Sequence, residues 1–132
     1  MKLPFVLLFV SFCTVGLSAQ HNTLSSFEES EGWVLLFDGE TTNHWRGYNQ
    51  KSFPEKGWRV ENGELIVEKS GTEEDGYGGD IITNEQYASF ELVLDFLVTD
   101  TANSGIFYLV REFEGTPIWH NAPEYQILDD TT

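Results

Sequence analysis

The 132-residue chain is short of positive charge and almost without cysteine. Seven Lys and Arg stand against 22 Asp and Glu, a formal net charge of −15. A surface this acidic does not seek nucleic acid or an anionic membrane face. Its plainest consequence is solubility, although acidic clusters also hold divalent cations and carboxylates also work on neutral sugars. The single cysteine, Cys13, lies in an apolar stretch at the start of the chain. Without it no disulfide is available, and the rest of the chain relies on packing whatever the redox state around it. No segment after residue 20 keeps a long apolar period of 3.6, which excludes helix bundles and argues against α/β architectures. Internal repeats and low-complexity segments are missing as well.

What is present begins with Lys2 and the apolar run 3–10, continuing to Leu17 and closing on Ser18 and Ala19. One charge, a short apolar stretch and a small-residue exit predict a signal peptide over 1–19, cut near Ser18 to Gln20. The run is too short to span a bilayer comfortably, so no transmembrane anchor is expected. Phe12 stands where a lipid-attachment cysteine wants a small residue, so Cys13 reads as part of the leader. The product is expected to be exported to a periplasm, a cell surface or the medium. Loss of Lys2 moves the formal charge to −16. Residues 20–31, with His21 near the mature end, are polar, weakly patterned and read as a linker. Residues 32–132 have room for one domain.

That domain reads as short strands between turns. Segment 32–39 is an apolar strand closed by Asp38-Gly39, and 41–47 is an irregular stretch anchored by Trp45. Segment 58–67 is a hairpin whose Asn62-Gly63 suits a type I′ turn. Segment 70–79 is a Gly-rich loop with Glu73, Glu74 and Asp75. Residues 80–83 form a strand and 84–89 a helical turn. Phe90, Leu92, Leu94, Phe96 and Val98 alternate on a core strand. A turn at 100–104, a strand at 105–111, a long loop at 112–122 and a strand at 125–128 follow. This pattern predicts an all-β sandwich or barrel. The chain stops at Asp-Asp-Thr-Thr just after a strand, which reads as a sandwich truncated at its C-terminus.

Six segments in order resemble the 3-keto-disaccharide hydrolase domain family. They are Gly-Trp-Val-Leu-Leu-Phe-Asp-Gly at 32–39 with Trp45, Trp-Arg-Val-Glu-Asn-Gly-Glu-Leu at 58–65, Gly-Asp-Ile-Ile-Thr at 79–83, Tyr-Ala-Ser-Phe-Glu-Leu at 87–92, Ala-Asn-Ser-Gly-Ile-Phe at 102–107 and Glu-Tyr-Gln-Ile-Leu-Asp at 124–129. The resemblance implies a concanavalin-A-like jelly roll with a concave carbohydrate-binding face, of which 32–132 is the N-terminal portion. It also implies cleavage of the glycosidic bond of a sugar oxidised at C3. A C3 ketone acidifies the C2 proton, so a base can form an enolate and the C1 substituent can leave by β-elimination. Such a site needs a base, a stabiliser for the enolate oxygen and an acid for the leaving group.

The period of two puts Glu124 and Gln126 on one face of the last strand and Tyr125 and Ile127 on the other. A carboxylate and an amide held on a strand that otherwise looks buried are expensive without a task. Glu124 is the leading candidate for general base or metal ligand, its reactivity tuned by desolvation if its face is concave; as a bland alternative it caps a loop. Gln126 is a candidate for a sugar hydroxyl. His120 titrates near neutrality and is a candidate acid, base or ligand. Asn103 and Ser104 open a strand and are candidates to bind the sugar, Asn103 by donating to one of its oxygens, although Asn also serves turns; Arg111, which ends that strand, is a further substrate-binding candidate that can instead pair with neighbouring charges. Trp119, Tyr108 and Tyr77 are candidate stacking platforms, whereas Trp33, Trp45 and Trp58 read as core. Asp80, Glu124 and Asp129 are a possible oxygen-ligand set for a divalent cation such as Ca²⁺, although their spacing matches no calcium loop. Two other functions fit the same architecture: a non-catalytic carbohydrate-binding module, and an ectodomain that offers its concave face to a protein.

Overall fold

The computed structural model describes residues 22–68 and 78–129. The leader, His21, Glu73, Glu74, Asp75, Tyr77 and the final three residues lie outside this range. The described elements are a short helix, α1 (Ser26–Ser30), and six strands: β1 (Trp45–Gly47), β2 (Trp58–Glu61), β3 (Glu64–Val67), β4 (Ile81–Thr83), β5 (Asn103–Phe107) and β6 (Glu124–Leu128). A 3-10 turn covers Ile118–His120. The strands pair antiparallel as β1–β4, β2–β3 and β5–β6. The class is all-β, as the strand-and-turn pattern requires.

Helix α1 falls inside the expected linker. Ser25 and Glu28 make a reciprocal capping box: Ser25 Oγ accepts from the Glu28 N–H at 3.3 Å, and Glu28 Oε2 accepts from the Ser25 N–H at 2.8 Å. Two otherwise orphaned donors are thereby satisfied, enough to nucleate one turn. The β2–β3 hairpin forms where Asn62-Gly63 places it, with φ of 53° and 82° at the two turn residues. The Asn22 amide donates to the Gly63 carbonyl at 2.9 Å and fastens the chain before α1 to this turn.

Segment 41–47, expected to be irregular, supplies a strand. β1 pairs with β4 in the register Trp45 to Thr83 and Gly47 to Ile81. The ladder is prolonged at both ends by Tyr48 N–H to the Asp80 carbonyl and Asn84 N–H to the His44 carbonyl. Segment 32–39, expected to be a strand, is not one. The Trp45 indole takes the Leu36 carbonyl at 2.6 Å, and the Asp38 side chain closes a turn on Glu40 and Thr41. Residues 84–89 are bends, not a helical turn. The tryptophans read as core are half-buried; Trp58 also donates to the Gly79 carbonyl and meets Phe53 edge-on.

The largest departure is segment 90–98, which forms no strand. Its alternation nonetheless sets its sidedness: Phe90, Leu92, Leu94 and Phe96, joined by Val93, line an apolar groove of about 590 Å³ against Ile106, Tyr108, Tyr125 and Ile127. These side chains stay exposed, because among the described residues the segment has no ladder partner and nothing covers the groove's far side. Among the described residues the enclosed hydrophobic side chains are Ile118, 2% exposed, and Ile127, 9% exposed.

Candidate active site

The β5–β6 register decides which candidates meet. Gly105 lies opposite Gln126, Phe107 opposite Glu124 and Asn103 opposite Leu128. Directly paired residues share a face, so Glu124, Gln126, Gly105 and Asn103 lie on one side of the pair together with Phe107 and Leu128. Tyr125, Ile127, Ile106 and Ser104 take the other, which fronts the apolar groove. Ser104 is thereby separated from Asn103.

Glu124 reaches diagonally across the ladder onto Gly105. A Cβ on Gly105 would lie 2.6 Å from both Cγ and Cδ of Glu124, and closer still to Oε1. The carboxylate thus rests on the space a side chain would fill. Glu124 and Gln126 are exposed, and neither side chain hydrogen-bonds to another described residue. The desolvated hollow expected around Glu124 is not built by the described residues; its setting is an open face that carries Gln126 and Asn103 beside Phe107 and Leu128.

A second polar region gathers Asp80 and Trp119. They border a pocket of about 280 Å³ with Tyr48, Asn49, Gln50, Gly79 and residues 115–118. A bidentate pair meets this lining at Asn49: Arg46 Nη1 and Nη2 donate to Glu112 Oε1 and Oε2 at 2.5 and 2.7 Å. Glu112 also accepts from the Asn49 N–H at 2.8 Å. The Arg46 hydrogen bonds, seconded by that backbone donor, hold the Glu112 carboxyl below its ordinary range. The Tyr48 hydroxyl donates to the Arg111 carbonyl at 3.2 Å and accepts from the Asn121 amide at 3.1 Å. Arg111 therefore enters the network through its backbone. Trp119 is 42% exposed at the pocket, and His120 meets its ring edge-on at 6.1 Å. Tyr108 faces the apolar groove.

The possible cation ligands do not converge. Asp129 Oδ2 accepts from the Thr101 N–H at 2.8 Å, closing the turn before β5, whereas Asp80 borders the other pocket. Among the described residues no three His, Cys, Asp or Glu side chains form a group that could hold a metal. Asp80, Glu124 and Asp129 do not fit a shared ion.

Sequence reasoning missed Tyr48, Asn49, the Arg46–Glu112 pair and Gly105. Tyr48 and Asn49 line the pocket and, like the Arg46–Glu112 pair, make contacts 63 to 73 residues apart, which no local pattern announces. Gly105 had a signal, a glycine inside a strand, which marks a close approach.

Comparison with known proteins now bears on the whole. The chain is 37% identical over 132 residues to the 3-keto-disaccharide hydrolase of Bacteroides thetaiotaomicron, covering 92% of this chain and 45% of that one. The crystal structure of a candidate glycosyl hydrolase from Parabacteroides distasonis superposes with a TM-score of 0.59 at 28% identity, over 83% of this chain and 46% of the other. The chain thus spans about half the length of these relatives. Residues 32–132 match the model of the 3-keto-alpha-glucoside-1,2-lyase-like domain, and the chain belongs to that family.

Proposed function

We propose that this is an exported enzyme that cleaves the glycosidic bond of a 3-keto sugar, with Glu124 as general base. One observation carries the reading: the Glu124 carboxylate is laid over Gly105, beside Gln126, on one face of β5–β6, with no hydrogen-bond partner among the described residues to occupy it. A family described as a 1,2-lyase and a relative named a hydrolase are compatible with one sequence of steps. Glu124 takes the C2 proton, and the electron pair of that bond moves toward O3. The C1–O bond then breaks and the aglycone oxygen is protonated, for which His120 is the proposed acid. Water next adds across C1 and C2 of the unsaturated product, with hydroxide to C1 and a proton to C2. The net change is hydrolysis.

Gln126 and Asn103 are proposed to hydrogen-bond the sugar beside Glu124. Trp119, at the pocket bordered by Asp80 and Asn49, is proposed to stack on a pyranose ring. The test is turnover by the full-length protein in D₂O, using a 3-keto disaccharide and its unoxidised parent. Release from the keto substrate alone, with deuterium at C2 in the initial products, is expected. Binding of both sugars with release of neither would leave a carbohydrate-binding module in place of the enzyme.

A further inference from the structure

Glu124 has an assigned task but no visible restraint. It is exposed, and no described side chain or backbone donor holds its carboxylate. General-base catalysis nevertheless requires the oxygen to be held within hydrogen-bond reach of one particular proton. Among the described residues, a feature that shapes its path is the bare Cα of Gly105, over which the end of the side chain lies.

We infer that Gly105 is a positioning residue for Glu124. Its missing side chain is a seat that keeps the carboxylate low against the β5–β6 ladder and directed along the polar face toward Gln126. The inference rests on the reading of Glu124 as base. Two facts distinguish it from an ordinary backbone requirement for glycine. The φ of Gly105 does not lie in the left-handed region, so an L side chain meets no backbone strain there. The atoms nearest an added Cβ are the Cγ, Cδ and Oε1 of a flexible exposed side chain, not backbone. A methyl group at 105 would therefore displace the carboxylate while leaving the ladder intact. Alanine also suits a strand interior slightly better than glycine.

The experiment is a double-mutant cycle on the full-length protein with a 3-keto disaccharide. Gly105→Ala is expected to lower kcat roughly ten- to a hundredfold, as displacement of a reacting group by about 1 Å does, with KM little changed and Tm preserved. Gly105→Ser adds the same Cβ with a polar tip and is expected to behave alike. In a Glu124→Gln background Gly105→Ala should cause no further loss, because the group it displaces no longer acts. Unchanged kcat in both Gly105 variants, or a loss of activity matched by a fall in Tm, overturns the inference while leaving Glu124 as base. Full activity in Glu124→Gln overturns the base itself, and with it the catalytic weight of Gly105. Equal losses in both backgrounds show that Gly105 acts on something other than Glu124 and also overturn the inference.

Discussion

The two faces of the β5–β6 pair are built from alternate residues of the same ten, yet they answer to different demands. On one, Ile106, Tyr125 and Ile127 front Phe90, Leu92, Leu94 and Phe96. On the other, Glu124 lies over the bare Cα of Gly105, with Gln126 and Asn103 beside it and Phe107 and Leu128 at its margins. The apolar face contributes by area removed from water and is indifferent to the exact pose of any one group. The polar face removes little area; what matters there is where one oxygen sits. A two-residue period lets a single ladder serve both ends, because a change on one face leaves the other's side chains in register.

Changes on the polar face should therefore move rate without moving stability, and the strongest separation lies at Glu124. Glu124→Gln keeps the shape of the side chain and removes its basicity. Turnover of a 3-keto disaccharide should fall by about 10²- to 10⁴-fold, the usual worth of a general base, while Tm stays where it was. Steady-state kinetics beside a thermal melt reads both quantities. A variant that melts early and retains its kcat would place Glu124 among the structural residues and erase the distinction between the faces.

The opposite substitution is Ile127→Ala. Ile127 is one of two enclosed hydrophobic side chains among the described residues. Its truncation should cost about 2 kcal/mol, the lower end for a buried aliphatic, since the adjoining groove is open and one side of the site has little packing to lose. Denaturant unfolding of the full-length protein gives the figure. The variant should keep most of its kcat at temperatures well below its Tm, because Glu124 and Gly105 remain in register. Loss of kcat without loss of stability would show the apolar face setting the pose of the polar one.

How much of this was readable in advance depends on the range of the interactions. The β2–β3 turn needs only that Asn62 and Gly63 accept positive φ, a property of two adjacent residues, and it was legible. So was the division of Glu124 and Gln126 from Tyr125 and Ile127, which follows from the pleat. The capping box at Ser25 and Glu28 is equally local, but a helix of a single turn in a polar stretch has too few apolar residues to show a period. Segment 90–98 shows the limit of periodicity. Its alternation predicted that Phe90, Leu92, Leu94 and Phe96 share a side, but not that they stay exposed or that Val93 joins them; a strand also needs a neighbour to take its N–H and C=O groups, and alternation does not reveal one. β1 is too short to alternate visibly and is a strand because β4 lies beside it. The seat on Gly105 required the register itself: a glycine in a strand signals closeness but not to what.

A third test concerns the Arg46–Glu112 pair, which fastens β1 to the loop after β5 and is neither apolar contact nor reactive group. Glu112→Gln removes the charge and keeps an acceptor. Solvent reaches both partners, so the expected destabilisation is at most about 1 kcal/mol, below that of Ile127→Ala. The pH dependence has a definite sign. Arg46 lowers the Glu112 carboxyl from its ordinary 4.5, so the contribution is present in full above that value and is lost as pH falls through the lower folded-state value. Melts of wild type and Glu112→Gln between pH 7 and strongly acidic pH should converge. Curves that stay parallel would mean the pair contributes nothing through charge.

The smallest effect belongs to the turn at Asp38, on neither face of the pair. Asp38 Oδ1 accepts from the Thr41 N–H at 2.6 Å and the Glu40 N–H at 2.9 Å, and Oδ2 accepts from the Thr41 hydroxyl at 2.7 Å. These donors favour the ionised form, with the Thr41 N–H the strongest, and lower the carboxyl to about 2. An NMR titration of the side-chain carboxyl should place its midpoint there, and Thr41→Val should raise it only part of the way toward 3.8, because both backbone donors survive. With the folded value depressed, whatever the turn contributes to stability is held above the ordinary value and given up only as pH approaches the lower one. Neither titration nor substitution should alter kcat near neutrality. A midpoint close to 3.8 in the wild type would mean that the three donors do not hold the carboxylate in solution, and the chain after residue 31 would then need another reason to turn at Gly39 instead of running on as the strand its apolar residues suggest.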